Sequence, residues 1–206
     1  PAGPYASGLT VRTPEFESQM RYLAENGYHA VTLADLAEAF SGGRPLPGKP
    51  VVLTFDDGGL DNYSVAFPIL KKYGLTATFF VITGRVGASG QMDWDDLRTM
   101  ATQGMSIESH TISHPDLRVA SDERLRLELE KSRADIAAHI GTVPYAVAYP
   151  AGAFDQRVIE ATRAAGYLVA VATDKGTAKG PDALYELKRR RVVPFLSVSQ
   201  FARLVK

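Results

Sequence analysis

The feature that most constrains the fold of this chain is a helix that ends in glycine and is followed at once by a strand. The glycine in each case can take the left-handed conformation that closes a helix. The four junctions of this kind are Gly27-Tyr28, Gly74-Leu75, Gly104-Met105 and Gly166-Tyr167. Repeated αβ units predict parallel strands with helices outside them, either as a barrel or as an open doubly wound sheet.

The spacing of apolar residues and the start and stop signals place the individual elements. Helices are predicted over residues 13–27, 35–40, 60–73, 93–103, 121–139, 154–165 and 197–205. Strands are predicted over residues 29–33, 51–55, 76–82, 105–107, 144–149, 167–172 and 191–193. Thr13 and Ser121 are the expected caps of their helices, and Pro68 would kink or start the helix that contains it.

Composition bounds the class of protein. The chain has 206 residues, of which 45% are hydrophobic and 22% are charged, as in ordinary globular domains with a sizeable core. Its 23 basic and 23 acidic residues cancel, so we expect no nucleic-acid surface, and a neutral glycan would suit the chain as a partner. The chain has no cysteine, and no apolar run approaches the roughly 18 residues that a membrane span needs.

Two adjacent carboxylates follow the strand predicted at 51–55. Asp56 and Asp57 lead into Gly58 and Gly59, and neighbouring acids at a strand end cost desolvation and mutual repulsion. A cation for one acid and a proton-accepting role for the other would separate their tasks. The alternative is an ordinary turn with two solvated acids, because Asp and Gly are common turn residues.

A second polar turn follows the strand predicted at 105–107. His110 and His114 are four positions apart, so one turn of helix would place both imidazoles on one face, where they could chelate a divalent ion. With an aspartate from another strand end they make a three-ligand set that suits zinc best, with cobalt, nickel or iron as alternatives. A polar cluster without a metal is the simpler interpretation of the same residues.

These two stretches resemble the first two signature motifs of the polysaccharide deacetylases, the NodB homology domain of carbohydrate esterase family 4. The matching residues are Thr54-Phe55-Asp56-Asp57-Gly58 and Ser109-His110-Thr111-Ile112-Ser113-His114-Pro115. The segment from Thr13 to Tyr28 is similar to the opening of the bacterial poly-N-acetylglucosamine deacetylases. The resemblance implies a single catalytic domain over residues 1–206 and an α/β fold that is a distorted, incomplete (β/α) barrel of parallel strands.

The resemblance also implies an activity and a role for each motif residue. Asp57, His110 and His114 would hold the metal ion, and Asp56 would be the general base beside the water that the metal activates. The reaction would remove acetyl groups from N-acetylated or O-acetylated glycans, outside the cell or in the cell envelope. Chitin fragments, poly-N-acetylglucosamine, peptidoglycan, O-acetylated xylan and a non-sugar amide all remain open as substrates.

The stretch from Ala148 to Gly152 resembles the third motif of the family. By this resemblance Ala151 would donate its backbone N–H to the oxyanion, although the family usually has an aromatic side chain there. Tyr149, Pro150 and Gly152 would contact the substrate, and a place in the core fits Tyr149 equally well.

The third motif departs from the family pattern in one further respect. The arginine that commonly braces the base aspartate has no counterpart at Ala148. The run Arg189-Arg190-Arg191 could supply one from another strand, and a solvated surface is the alternative for such a basic run.

The predicted site residues share one position in the αβ unit. Asp56-Asp57, His110, Pro150-Ala151-Gly152 and Asp174 all come just after the carboxyl ends of predicted strands. In a parallel barrel these ends lie on one face, which is where active sites are found.

No residue is found for proton delivery to the leaving nitrogen, a role that the family gives to a histidine on a late strand. His29 and His139 are predicted in a core strand and at a helix end. In the subfamily that the opening helix resembles, the motifs look circularly permuted, and the equivalent histidine lies on a strand before that helix. We therefore expect the natural polypeptide to carry such a strand, and this chain without it to be weakly active and to release activated esters faster than acetamides.

A glycan-binding module descended from such an enzyme is the rival hypothesis. Asp56 beside the metal ligands favours the enzyme, because a binding module needs no base there. The altered third motif favours the binding module.

Overall fold

The computed structural model describes residues 10–173 and 184–206 of the chain. The helices in these ranges are α1 (Thr13–Glu25), α2 (Leu33–Phe40), α3 (Phe67–Lys72), α4 (Trp94–Thr102), α5 (Asp122–Ile140), α6 (Gln156–Ala164) and α7 (Val198–Leu204). The strands are β1 (His29–Ala30), β2 (Pro50–Val51), β3 (Thr54–Phe55), β4 (Thr78–Val81), β5 (Ser106–Ser109), β6 (Ala146–Ala148) and β7 (Val169–Val171).

Every strand pair in the sheets is parallel, which confirms the prediction of an α/β fold. Strands β3 to β7 form one sheet in sequence order, and β1 pairs with β2 at the start of the stretch that continues into β3. An open doubly wound sheet would reverse its strand order at a switch point, and this sheet does not. With a helix in each crossover from β3 to β7, the sheet curls into an incomplete (β/α) barrel.

The end of the sheet differs from the prediction, because residues 191–193 form no strand. Instead Leu187 makes an isolated parallel bridge to Val171, with N–H groups donating from Leu187 to Ala170 O and from Ala172 to Leu187 O at 3.1 and 2.8 Å. Within the described ranges no neighbouring strand pairs with residues 191–193.

The four glycine junctions behave as predicted. Gly27, Gly74, Gly104 and Gly166 all have positive φ angles, from 66° to 91°, and each lies between a helix and the next strand. Ser121 caps α5, also as predicted, by accepting a hydrogen bond from the N–H of Arg124.

Other boundaries and environments correct the sequence prediction. The segment 60–73 is not one α-helix, because a π-helical turn at Asn62–Ala66 precedes α3, which begins one residue before Pro68. Proline lacks an N–H and is tolerated in the first turn, where that group has no intrahelical partner. Thr13 is the first residue of α1 rather than its cap. His29 is exposed rather than in the core.

The core occupies both faces of the sheet, because successive strand residues point to opposite sides. Phe79 of β4 packs with Leu97 and Met100 of α4 on the outer face, whereas Phe80 meets Leu33 of α2 inside the barrel. This filling leaves the carboxyl ends of the strands as the place where polar side chains gather. No helix in the described ranges is long and apolar enough to cross a membrane.

Candidate metal centre

Three predicted ligands meet at the carboxyl ends of the strands. Asp57 follows β3, and His110 and His114 come from the loop after β5. One ligand atom of each residue lies within 4.8 Å of the others, with Asp57 Oδ1 at 3.6 Å from His110 Nε2 and 3.9 Å from His114 Nε2. Two imidazoles and one carboxylate that converge in this way could hold one divalent ion.

His110 is held in place by the neighbouring strand. Its Nδ1 lies 2.7 Å from the carbonyl oxygen of Ala148, and a carbonyl can only accept. Nδ1 therefore carries the proton, and Nε2 keeps its lone pair on the side of Asp57. The His110 side chain is only 3% exposed, and burial lowers its pKa, which favours the neutral form that binds metals.

The loop that carries His114 is not the turn of helix that the spacing suggested. Thr111 and His114 both have left-handed backbone conformations, with φ angles of 66° and 61°, and this conformation is an outlier for a β-branched residue such as Thr111. Thr111 Oγ1 accepts the N–H of His114 at 3.0 Å. Backbone strain held by surrounding contacts is common at functional sites.

Asp56 is paired with an arginine from the far end of the chain. Its two oxygens accept from Nη1 and Nη2 of Arg189, each at 2.7 Å. Arg189 also donates to Thr54 Oγ1 and to Ala172 O, so its guanidinium joins β3 to the end of β7. Burial works to raise the pKa of Asp56, but the hydrogen bonds and charge of Arg189 outweigh it and lower that pKa.

Arg189 is the member of the basic run that lies beside the predicted base. The sequence offered the whole run 189–191 as a replacement for the arginine that Ala148 lacks, with a solvated surface as the alternative. Only the pairing of Leu187 with β7 brings the side chain of Arg189 to the mouth of the barrel.

The third motif forms a tight turn at Pro150–Gly152. Ala151 is exposed and left-handed, with φ 54°. Gly152 has φ 71°, and a Cβ there would lie 2.5 Å from the backbone nitrogen of Thr173. Thr173 Oγ1 donates to Ala151 O at 3.1 Å, so the turn packs closely on the segment after β7.

Tyr149 and Pro150, which were predicted to contact the substrate, are both buried. The side chain of Tyr149 is fully buried among apolar residues such as Leu117 and Val158, and it stacks on Phe154. Pro150 is buried as well. Tyr149 therefore takes the core position that the sequence analysis left open for it. Its side chain packs among residues of α5 and α6.

The remaining predicted candidates lie elsewhere or outside the described residues. Asp174 falls in the segment that is not described. His29 starts β1 and pairs with Pro50. Pro50 is six residues before Asp56, which at the rise of a strand is a distance of about 20 Å, so His29 lies far from the candidate base. His139 is in the last turn of α5 and stacks on Trp94 with ring centroids 4.2 Å apart.

Two buried glutamates, one at the start of β6 and one against the histidine loop, were not predicted. Glu108 accepts the N–H groups of Tyr145 and Ala146 at 3.0 and 2.8 Å, and burial raises its pKa to about 7. Glu128 accepts hydrogen bonds from the loop between the two histidines. The available signal was its position on the apolar stripe of α5, where it follows Leu125 by three residues and where a charge is unusual.

The fold and the cluster define a class, namely a parallel (β/α) barrel with a candidate metal site at the carboxyl ends of its strands. The model of the family described as polysaccharide deacetylase matches residues 43–170, more than half of the chain. The chain belongs to the polysaccharide deacetylase family, as its motifs predicted. Membership supports a hydrolase that acts on acetylated polysaccharide.

Individual relatives agree with this assignment. The deacetylase PplD of Streptococcus pyogenes, solved in complex with acetate, is 30% identical with a TM-score of 0.94, over 100% of this chain and 93% of that one. YxkH of Bacillus subtilis (strain 168), which is named for the same family, is 35% identical over 98% of this chain and 73% of its own length. The poly-β-1,6-N-acetyl-D-glucosamine N-deacetylase of Escherichia coli (strain K12) is 26% identical over 95% of this chain but only 35% of its own length.

Proposed function

We propose that residues 1–206 form a single catalytic domain that hydrolyses acetyl groups from N-acetylated glycans. Water and an acetamide would give acetate and a free amine, and O-acetyl esters would react by the same chemistry. The observation that carries the proposal is the convergence of Asp57, His110 and His114 beside an Asp56 that Arg189 holds in place. The named activity of the Escherichia coli relative favours polymers of N-acetylglucosamine as the substrate class.

Asp57, His110 and His114 would hold a divalent ion, zinc in preference to cobalt, nickel or iron. The fit rests on the donor set, since the proton on Nδ1 of His110 leaves Nε2 free to bind. Asp57 and His114 are 40% and 29% exposed, so water and substrate can reach one side of the cluster. When bound, the ion would polarise the acetyl carbonyl and lower the pKa of water.

Asp56 would act as the general base and take a proton from the attacking water. The lowered pKa of this carboxyl keeps it ionised at neutral pH, and two charge-assisted hydrogen bonds from Arg189 fix its orientation. A carboxylate with a lowered pKa is a weak base. Its contribution would therefore come from its position beside the metal ligands.

Ala151 would donate its N–H to the carbonyl oxygen as that oxygen gains negative charge. A backbone donor does not depend on the side chain, so alanine can serve where the family usually has an aromatic residue. Pro150 and Gly152 would shape the turn that presents this donor, and the close packing of Gly152 on Thr173 would keep the turn rigid.

The contact between Arg189 and Asp56 favours the enzyme over the glycan-binding module. The argument for the module was the altered third motif, and of its two departures the missing arginine is made good by another segment that provides one beside the base. We accordingly propose an acetylated glycan as the partner, no nucleic-acid partner, and a location outside the cell or in the cell envelope.

Acetate release from acetylated chito-oligosaccharides and from poly-β-1,6-N-acetylglucosamine tests the proposal. The purified chain is stripped with a chelator and reloaded with zinc, cobalt or nickel, and we expect release to require reloading. No release from either substrate with any of these metals would leave only the binding module. Release that survives complete stripping would remove the metal from the mechanism.

A further inference from the structure

The carboxylate of Glu128, on α5, lies directly against the loop that carries His114. Its Oε2 accepts the backbone N–H groups of Ile112 at 2.7 Å and Ser113 at 2.9 Å. Its Oε1 accepts the hydroxyl of Ser113 at 2.6 Å and pairs with Arg124. One side chain thus binds two successive backbone groups and one side chain of the same loop.

A buried charge at this position requires an explanation. The Glu128 side chain has no exposed surface, although it lies on the stripe of α5 that also carries Leu125, Leu129 and Ile136. An apolar residue there would avoid the desolvation penalty of a carboxylate, which is offset only if its oxygens are well hydrogen-bonded. The loop supplies three of those hydrogen bonds and Arg124 of α5 adds an ion pair, so the loop accounts for most of the compensation of this buried carboxylate.

The loop in turn needs an anchor, because its conformation is strained at two residues. Thr111 and His114 are left-handed on either side of the two N–H groups that Glu128 accepts. Successive backbone N–H groups that converge on one anion form a concave binding site, and here the anion belongs to the protein. Without it, two half-buried backbone donors would lose their partner.

The opposite side of the loop is held by the segment after β4. The N–H of Gly84 donates to Ile112 O at 2.9 Å, and a Cβ at position 84 would come within 2.6 Å of that oxygen. Thr83 donates in the same way to Thr111 O at 3.1 Å. The loop is therefore clamped between this segment and Glu128, and His114 projects from the clamp toward Asp57.

We propose that Glu128 is a positioning residue for the metal centre. It fixes the 111–114 loop so that Nε2 of His114 faces Asp57, and its own hydrogen bonds go to Ile112, Ser113 and Arg124. The inference rests on the proposed function in so far as the cluster of Asp57, His110 and His114 binds a divalent ion.

The test compares two variants of Glu128 with a control on the same helix. Glu128→Ala removes the acceptor, and Glu128→Gln keeps its size while removing its charge. Ile136→Ala is the matched control, because Ile136 is buried on α5 but packs in the core cluster of Phe79 and Leu97. All are measured as the full chain for zinc affinity by chelator competition, for the visible spectrum with cobalt, for amide hydrogen exchange and for stability.

We expect Glu128→Ala to weaken zinc binding by about 10-fold to 100-fold, the range seen when partners that orient metal ligands are removed. Glu128→Gln should lose less zinc affinity, because the oxygen of its side-chain amide can still accept one or both N–H groups. Exchange at Ile112 and Ser113 should accelerate in both variants, and the cobalt spectrum should change. Ile136→Ala should lose stability and keep the affinity of the wild-type chain.

Wild-type zinc affinity in both Glu128 variants, or an equal loss of affinity in Ile136→Ala, would overturn the proposal and leave Glu128 with a structural role only. If Glu128→Ala does not fold, Glu128→Gln decides the question. If the wild-type chain itself binds neither zinc nor cobalt, the proposed function fails. Exchange at Ile112 and Ser113 then still decides whether Glu128 holds the loop.

Discussion

The two ends of the strands use the left-handed backbone conformation in different ways. At the amino ends, where a helix closes and a strand begins, glycine takes this conformation at Gly27, Gly74, Gly104 and Gly166. At the carboxyl ends the residues that take it include Asp57, Thr111, His114 and Ala151. Glycine adopts it without steric cost, whereas other residues lose roughly 1–2 kcal/mol.

The difference follows from what each turn has to carry. A turn at the amino ends only reverses the chain, so a residue without a side chain is best. At the carboxyl ends Asp57 and His114 bring the candidate ligand atoms and Thr111 brings the hydroxyl that binds the His114 N–H. At Asp57, Thr111 and His114 the side chain is needed, and surrounding hydrogen bonds hold the strained conformation.

Replacing His114 should give the largest effect, and two different replacements distinguish the role of its side chain from the strain of its backbone conformation. We expect His114→Ala and His114→Gly both to lose most bound metal and nearly all activity, because a ligand is gone. The glycine variant should be more stable than the alanine variant by about 1 kcal/mol, because it relieves the left-handed strain. Metal analysis and denaturant unfolding measure the two effects.

Full metal occupancy in either His114 variant would refute the ligand assignment. Equal stability of the two variants would show that the conformation of residue 114 carries no strain, and the contrast between the two ends would then fail at this position.

The neighbouring aspartates sharpen the contrast within the site. Asp57 is left-handed and its carboxylate faces the histidines, while Asp56 directly follows β3 and its carboxylate faces Arg189. Asp56→Asn should therefore keep the metal and lose activity by at least ~10²-fold, as expected for a general base. Acetate release and metal content are measured on the same sample. Turnover close to that of the wild-type chain would mean that another group takes the proton.

Arg189→Met should change how the activity depends on pH. The pKa of Asp56 is lower in the folded chain than in the unfolded chain, where it is about 3.9. The ion pair with Arg189 therefore stabilises the fold fully at pH values above the unfolded pKa, and this stabilisation is lost as the pH falls through the folded pKa. Without Arg189, burial would dominate and raise the pKa of Asp56. The acidic limb of the pH–rate profile should then move to higher pH in the variant.

Arg189→Lys is the control for Arg189→Met, since it keeps the charge but not the paired hydrogen bonds. It should move the acidic limb less. An acidic limb that stays in place in both variants would show that Asp56 is not the group that titrates there.

The sequence predicted those parts of the site that lie close together along the chain. Asp56-Asp57 and the two histidines are local motifs at strand ends, so chain order and the αβ rhythm were enough to bring them to one face. Arg189 lies 133 positions after Asp56, and nothing local in a run of three arginines says which one turns inward. The parallel bridge between Leu187 and Val171 of β7 determines that Arg189 is the one.

Side-chain direction was the other part that the sequence left undecided. Tyr149 belongs to a motif that was expected to contact the substrate. It directly follows β6, its side chain lies on the same side as that of Val147, and it stacks on Phe154 in the core. Glu128 lies on the charge-rich helix α5, and only the fold brings the 111–114 loop over it. Both depend on contacts between different elements of the fold, which the pattern within one element does not encode.

The smallest expected effects compare a glycine from each end of the strands. Gly27 has φ 69° and no atom within 4 Å of a Cβ placed there, so Gly27→Ala should cost only the left-handed strain, about 1 kcal/mol, and leave activity unchanged. Gly152 has a similar φ of 71°, but a Cβ there would meet the backbone of Thr173 at 2.5 Å. Gly152→Ala should therefore destabilise more and also lower activity, because the turn that presents the N–H of Ala151 must move. If both variants lose the same stability and keep full activity, the third-motif turn is as free of function as the turns at the amino ends, and Ala151 is not the oxyanion donor.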